Sequence, residues 1–227
     1  CHPCRLPCPD MSFPAFRAVA EHAVLVEFGD KIGDAAYAQT RHLDAMLAQH
    51  GFAGFRESVP AYVNILVEFD PLLTDHATVT QALRGLIAFP TRAQTAPTER
   101  EVQVCYDEDL APDLAEVSRL TGLSPEAAIN AHLSGAYHVA LYGFAPGYAY
   151  LSGLPDPIRL PRKDAAVRGV PAGSVIIAAG QCIVTTLTMP TGWWIIGHSP
   201  TLILDPTGPQ PFLFDVGDRV KFRRVSP

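Results

Sequence analysis

At Tyr137 this 227-residue chain changes character, and that change limits the folds open to it more than any other feature. Before it, strand-like and helix-like periods alternate. After it, Gly and Pro become frequent and short β runs replace helices. The runs cover 138–142, 174–178, 183–187, 193–196, 201–204, 212–214 and 219–225. Closely spaced short strands separated by turn residues suit a closed barrel or a sandwich. One irregular stretch, 144–173, interrupts them. Loops longer than about 15 residues in a compact domain are functional or disordered. This one carries Phe144, Tyr148, Tyr150, Leu151 and Leu154, too apolar for disorder. It reads as an ordered wall of a site.

The first half spells β-α-β-β-α-β. Strand-like runs at 22–28, 55–58, 62–69 and 101–106 alternate with two helical patterns. In the first, 32–50, Ile32, Ala36, Leu43, Met46 and Leu47 fall near the 3.6-residue period, and Gly51 ends it. His42 and His50 fall at spacings expected on its exposed surface. The second opens at Thr74 or Asp75, buries Val79, Leu83, Leu86 and Ile87, and stops at Pro90. This order predicts an α+β protein: a small split β-α-β domain of ferredoxin-like type over residues 11–92, then a barrel domain over 93–227. Residues 91–99 read as the linker. Two short helices precede the barrel strands. Pro112 sits early in one, and Ser124-Pro125-Glu126 supplies cap, first-turn proline and acid to the other.

Composition narrows function by exclusion. Hydrophobic residues are 48% and charged residues 18%, which suits a packed core. The formal charge is −6, and no Lys/Arg cluster is present to meet a phosphate backbone, so nucleic acid is not an expected partner. Arg219–Arg224 alternates like the solvent face of a terminal strand. No apolar run approaches the roughly 18 residues a bilayer requires, and no charged-then-apolar signal segment opens the chain. A cytoplasmic protein is expected. Cys1, Cys4 and Cys8, with His2 between them, make half of a zinc pattern without partners; residues 1–10 read as a leader or disordered tail. Cys105 and Cys182 read as reduced core thiols. The sequence has no phosphate-binding glycine loop, no GxGxxG after a strand, no GxSxG elbow and no HExxH or paired CxxC. No metal site and no local nucleophile–base pair follow from it.

Gly143-Phe-Ala-Pro-Gly-Tyr-Ala-Tyr-Leu151 changes what can be said. With Gly153-Leu-Pro155, Leu160-Pro-Arg162, Val170-Pro-Ala-Gly-Ser-Val175, Gly180-Gln181, Gly192-Trp193, Ile196-Gly197 and Pro200, it resembles the allophanate hydrolase subunit 1 family. Val24–Asp30, Val59-Pro-Ala-Tyr62 through Asp70-Pro71 and Gly217-Asp-Arg-Val220 extend the resemblance over nearly the whole chain from about residue 16. That family includes the B subunit of bacterial 5-oxoprolinase and the Kip inhibitor of a sporulation kinase, and is similar to part of the carboxyltransferase region of urea carboxylase. The resemblance implies a cyclophilin-like barrel. It also implies a partner, an allophanate hydrolase subunit 2-like barrel subunit, joined in the oxoprolinase case by a third, lactam-utilisation-type subunit. The implied activity is ATP-dependent opening of 5-oxoproline to glutamate, with Mg2+ accompanying ATP and the chain inactive alone. An allophanate or urea-amidolyase-related subunit and a kinase-inhibitor-like binding protein are the alternative readings.

A lactam amide is resonance-stabilised, so its carbonyl oxygen must be activated, by phosphorylation, and the developing charge must meet positioned donors. Arg162 is the first candidate, because a planar guanidinium binds carboxylate or phosphate through two parallel bonds; a salt bridge pinning the loop is the other reading. Gln181 offers an amide to an amide substrate, or is a satisfied barrel polar group. Pro146, Gly147 and Tyr148 shape the loop, with Gly147 suited to close backbone approach or simply to a tight turn. Tyr148 and Tyr150 line the substrate side or pack. Arg168 is a second anion-binding candidate or a solvated surface residue. The chain departs from the family at Cys182-Ile-Val-Thr-Thr186, where Thr-Gly-Ile-Tyr-Pro is usual, and at Met189-Pro-Thr-Gly-Trp193 in place of Ser-Pro-Gly-Gly-Trp. It also has Gly197-His-Ser-Pro200 in place of Gly-Arg-Thr-Pro. His198 there replaces a permanent charge with a titratable one, and completes the expected catalytic set of Arg162, Gln181 and His198.

Overall fold

A computed structural model describes residues 12–90 and 97–226. The expected leader, with Cys1, Cys4 and Cys8, and most of the expected linker lie outside the described residues. Contacts divide the chain into two units, parting between residues 94 and 95.

The first unit is a four-stranded antiparallel sheet covered by two helices. Its elements are β1 (Ala15–Val19), β2 (Ala23–Glu27), α1 (Asp34–His50), β3 (Phe55–Pro60), β4 (Asn64–Phe69) and α2 (His76–Ala88). The sheet order is β1-β2-β4-β3. β4 is antiparallel to both β2 and β3, so β2-α1-β3 is a split β-α-β unit with β4 in the gap. Alternation on β4 drives Ile65, Val67 and Phe69 into the core, where they meet Leu43 and Leu47 of α1 and Val79 and Leu83 of α2. Each such side chain, fully buried, stabilises the fold by about 1.5–3 kcal/mol. Asp75 caps α2 by accepting the Thr78 N–H at 2.8 Å.

Three expectations for this unit need correction. The strand near 101–106 does not complete the sheet. Its place beside β2 is taken by β1, which arrives through a three-residue hairpin with Ala20 at a φ of 55. Ile32 is 70% exposed, because α1 starts only at Asp34. His42 is buried, because the packed stripe of α1 runs through Ala36, Thr40, His42, Leu43, Met46 and Leu47.

The second unit begins with β5 (Glu99–Val104), which instead pairs in parallel with the last strand, β13 (Arg219–Arg224). Between them come α3 (Leu114–Thr121), α4 (Pro125–Leu133), β6 (Tyr137–Tyr142), β7 (Ala149–Ser152), β8 (Val167–Val170), β9 (Ser174–Ala178), β10 (Gln181–Val184), β11 (Met189–Thr191) and β12 (Trp194–His198). Seven strands run in the order β12-β9-β10-β7-β6-β13-β5. Cys105, just past β5, exchanges backbone hydrogen bonds of 2.8 and 2.9 Å with His198 of β12, so the outermost strands meet and the sheet nearly closes. The stretch 201–214, expected to give two strands, makes only the single bridge Leu204–Phe212.

Strand alternation sorts this unit into two layers. Val175 and Ile177 of β9, Cys182 and Val184 of β10, and Ala149 and Leu151 of β7 face the barrel interior, onto which α3 and α4 lay Leu114, Val117, Ala128 and Ile129. Ile176, Ala178, Ile183 and Ile195 face the other way, beneath Tyr148, Val170 and Trp193. The turns at 143–148 and the β8–β11 ribbon thus cover the outside of the sheet, while β7 between them is one of its strands and Leu154 and Ile158 pack inward, so the stretch expected to be an irregular wall is one only in part.

Candidate functional site

The covering starts with two turns in succession. Ala145 donates its N–H to the Gly143 carbonyl at 2.9 Å across Phe144, whose φ is 71. A three-residue turn with a positive central φ is rare and strained for a non-glycine residue. Tyr148 then donates to the Ala145 carbonyl at 3.0 Å, with Pro146 and Gly147 in the middle. Pro suits the second place of a type II turn and Gly the third, where φ must be positive; Gly147 has φ 70. A Cβ on Gly147 would lie 3.2 Å from Leu204 Cβ and from Thr186 Cγ2, so the turn also needs the space. Thr186 fixes it further, donating its hydroxyl to the Pro146 carbonyl at 2.7 Å.

These turns line an open groove of about 460 Å³ with Tyr142, Gly143, Phe144, Ala145, Pro146, Gly147 and Phe212. Phe144 is 75% exposed at its edge. The Tyr142 hydroxyl is already donated to the Phe214 carbonyl at 2.7 Å. Burial, then the nearby Asp215 and Asp218 charges, push this phenol up to about 12.

From Phe144 an aromatic ladder runs across the outer layer. Ring centres are 5.4 Å apart for Phe144–Tyr148, 6.0 Å for Tyr148–Tyr150 and 6.0 Å for Tyr150–Trp193, the last two edge to face. The Arg162 guanidinium carbon stands 5.6 Å from the Trp193 ring centre. Tyr148 is buried, and burial pushes its phenol up to about 12.

The candidates fare differently. Tyr148, Tyr150 and Arg162 come together around Trp193, while Pro146 and Gly147 form the groove. Gln181 opens β10 opposite Ser152 and Ala178, and alternation puts it on the same outer face as Ile183 and Tyr150. His198 lies at the barrel closure, where its Nε2 donates to the Ala172 carbonyl at 3.0 Å; a carbonyl only accepts, so that nitrogen carries the proton. Arg168 is exposed on β8. The ion pair that pins the loop is made one residue along from Arg162: Lys163 meets Asp113, whose carboxylate also accepts the Ile195 N–H at 2.6 Å. Residues 113 and 163 are 50 apart in sequence, so no local signal marks the pair.

A separate polar group lies in the barrel interior. His132, on the last turn of α4, is fully buried, with Nδ1 2.7 Å from the Tyr106 hydroxyl and Nε2 3.4 Å from Cys182 Sγ. Tyr137 donates its hydroxyl to the His132 carbonyl at 3.0 Å. Burial pushes the imidazole down to about 3 and the Cys182 thiol, Tyr106 and Tyr137 well up, so all four are neutral. Cys105 and Cys182 are free buried thiols.

Residues 14–214 match the family described as carboxyltransferase domain, subdomain C and D. The B subunit of 5-oxoprolinase from Bacillus subtilis (strain 168) is 32% identical over 220 residues, covering 92% of this chain and 91% of that protein. The crystal structure of TTHA0988 superposes with a TM-score of 0.80 at 31% identity over 90% of this chain. This chain spans about 40% of that longer one. Kluyveromyces lactis urea carboxylase shares the fold, with a TM-score of 0.73 at 18% identity, over 96% of this chain and 23% of that one.

Proposed function

This chain belongs to the family of carboxyltransferase subdomains C and D, and from that membership we propose that it is one subunit of an ATP-dependent amidohydrolase of 5-oxoprolinase type. Its relationship to the Bacillus subtilis 5-oxoprolinase chain supports the substrate, 5-oxoproline. In this reading the companion is a second barrel subunit resembling allophanate hydrolase subunit 2, a lactam-utilisation-type subunit joins them, and the complex works in the cytoplasm. The barrel is of cyclophilin type, and the first unit is a ferredoxin-like sheet whose fourth strand comes from the N-terminal side.

The observation that carries the reading is the groove at Gly143–Gly147. It is open, apolar and built at the cost of a strained Phe144, yet its lining brings a single hydroxyl, already donated elsewhere. Amide hydrolysis needs a nucleophile and a route for protons. The groove therefore serves as one wall of a site, and the companion chain supplies the other. Gln181 on the outer face is suited to an amide substrate, and the His198 ring is oriented by its Nε2–H bond to the Ala172 carbonyl. Among the described residues no three His, Cys, Asp or Glu side chains gather where a metal ion could sit. In this reading ATP and its metal ion bind in the assembled complex.

Purified alone, the chain should show no ATPase response to 5-oxoproline. Assembled with its companion subunits, it should show one at least ten times background. A well-folded complex whose ATP turnover ignores the lactam would remove this reading.

A further inference from the structure

Arg162 is mounted more firmly than an exposed arginine needs to be. The residue before it is held through its carbonyl, which accepts the Trp194 indole N–H at 2.8 Å. The residue after it is held twice. Lys163 donates its backbone N–H to the Gly192 carbonyl at 2.7 Å, and its ammonium pairs with Asp113. The guanidinium between these anchors lies over the Trp193 ring. The neighbouring cations on either side have carboxylate partners, Arg159 with Asp156 and Lys163 with Asp113. Arg162 is exposed and, among the described residues, pairs with no acid.

The floor beside it continues the same chemistry. Tyr150 stands edge to face against Trp193, and Tyr148 against Tyr150. Neither phenol is hydrogen-bonded among the described residues. The Arg162 charge acts on the Tyr148 phenol, which burial nonetheless keeps protonated at neutral pH and so able to donate. A guanidinium prefers a planar or tetrahedral oxyanion, and an aromatic face beneath it fixes its orientation without neutralising it. Fixing such a donor before the ligand arrives removes part of the ordering cost of binding.

We propose that Arg162, seated on Trp193 and flanked by Tyr148 and Tyr150, forms an oxyanion-binding subsite that takes a carboxylate or phosphoryl group of the ligand. The subsite lies along the ladder from the groove, and assigning its anion to the amide or to the nucleotide rests on the function proposed above.

The test uses the full chain with both tryptophans kept, so that the Trp194 anchor on Pro161 stays in place and the summed indole fluorescence reports on the ring beneath Arg162. Inorganic phosphate and acetate are titrated separately at constant ionic strength. A saturable change with at least one of them is expected. Arg162→Gln should weaken that response at least ten-fold, and Tyr150→Phe should weaken it by a smaller factor. Saturation by phosphate alone assigns the phosphoryl group, and by acetate alone the carboxylate. No saturable change with either, or equal binding by Arg162→Gln, overturns the subsite. A parallel assay of the assembled complex separates the two ideas. Lactam-dependent ATPase that survives Arg162→Gln unchanged leaves the enzyme reading and ends the subsite. Anion binding by a chain whose complex never responds to lactam does the reverse.

Discussion

Inward, β9 and β10 send Val175, Ile177, Cys182 and Val184 into a core where His132, Tyr106 and Tyr137 satisfy one another. Outward, the same strands lay Ile176, Ala178 and Ile183 beneath Tyr148, Tyr150 and Trp193, and above those rings stands a guanidinium without an acid. Both faces are buried, so burial alone does not separate them. What differs is where their polar atoms go. Inside, Tyr106 and Cys182 meet the two imidazole nitrogens. Outside, the Tyr148 and Tyr150 hydroxyls and Arg162 are left for something else, next to a turn strained at Phe144. The inner face holds the barrel together; the outer face leaves these donors for the oxyanion proposed above.

Acid should break the inner face first. The folded chain holds His132 at about 3, against 6.5 for the unperturbed side chain. Between those values the unfolded chain binds a proton that the folded chain refuses, so stability falls as pH drops through 6.5 toward 3. At about 1.4 kcal/mol per unit the loss approaches roughly 5 kcal/mol at the lower end. Above pH 6.5 this group adds no pH dependence. The facing groups, Tyr106, Tyr137 and Cys182, all have values raised by burial and stay protonated throughout. Urea unfolding of His132→Gln should therefore depend less on pH between 6.5 and 4 than the parent does. Parallel curves for the two proteins would mean that the imidazole is not held neutral.

The outer face should answer to shape instead. Gly147→Ala meets both an unfavourable φ and two atoms at 3.2 Å. It should cost about 1–3 kcal/mol in denaturant, from backbone strain and overpacking together. Lactam-dependent turnover of the complex should fall as well, because Leu204 and Thr186 must shift, and Thr186 holds the Pro146 carbonyl of the groove. A variant as stable as the parent would show that the turn yields easily and that the groove is not preformed.

Much of this division was legible in sequence, and the exceptions have physical causes. Alternation announced β13, short β-rich runs marked β4 and β9, Ser124 caps its helix as its position foretold, and of Thr74 and Asp75 it is Asp75 that caps α2. Alternation shows that a strand has two faces, but not which sheet it joins. Thus β5 matched the first domain's pattern while its partner, β13, lies more than 100 residues away. β1 escaped notice because its hairpin turns at Ala20 rather than at Gly, Asn or Asp. In the site, Pro146-Gly147 signalled a turn, and Arg162 and the two tyrosines were visible as candidates. Their convergence on Trp193, and the anchoring of Arg162 by its neighbours, depend on tertiary contacts with residues 113, 192 and 194.

Phe144→Gly should have the smallest effect on stability and the clearest consequence for function. Glycine accepts a φ of 71 without strain, which favours the variant, but it enlarges the freedom lost on folding, which disfavours it. The two terms are similar in size. The ring is 75% exposed, so little burial is lost, and the midpoint in urea should move by no more than about 0.5 kcal/mol equivalent. If the strained turn exists only because this chain's own packing dictates it, the complex should work as before. If it exists to hold an aromatic ring at the mouth of a shared site, turnover of the complex should fall several-fold while the barrel stays as stable as the parent. Stability unchanged and turnover unchanged together would return Phe144 to an ordinary surface loop, and the groove would lose the feature that most distinguishes its rim.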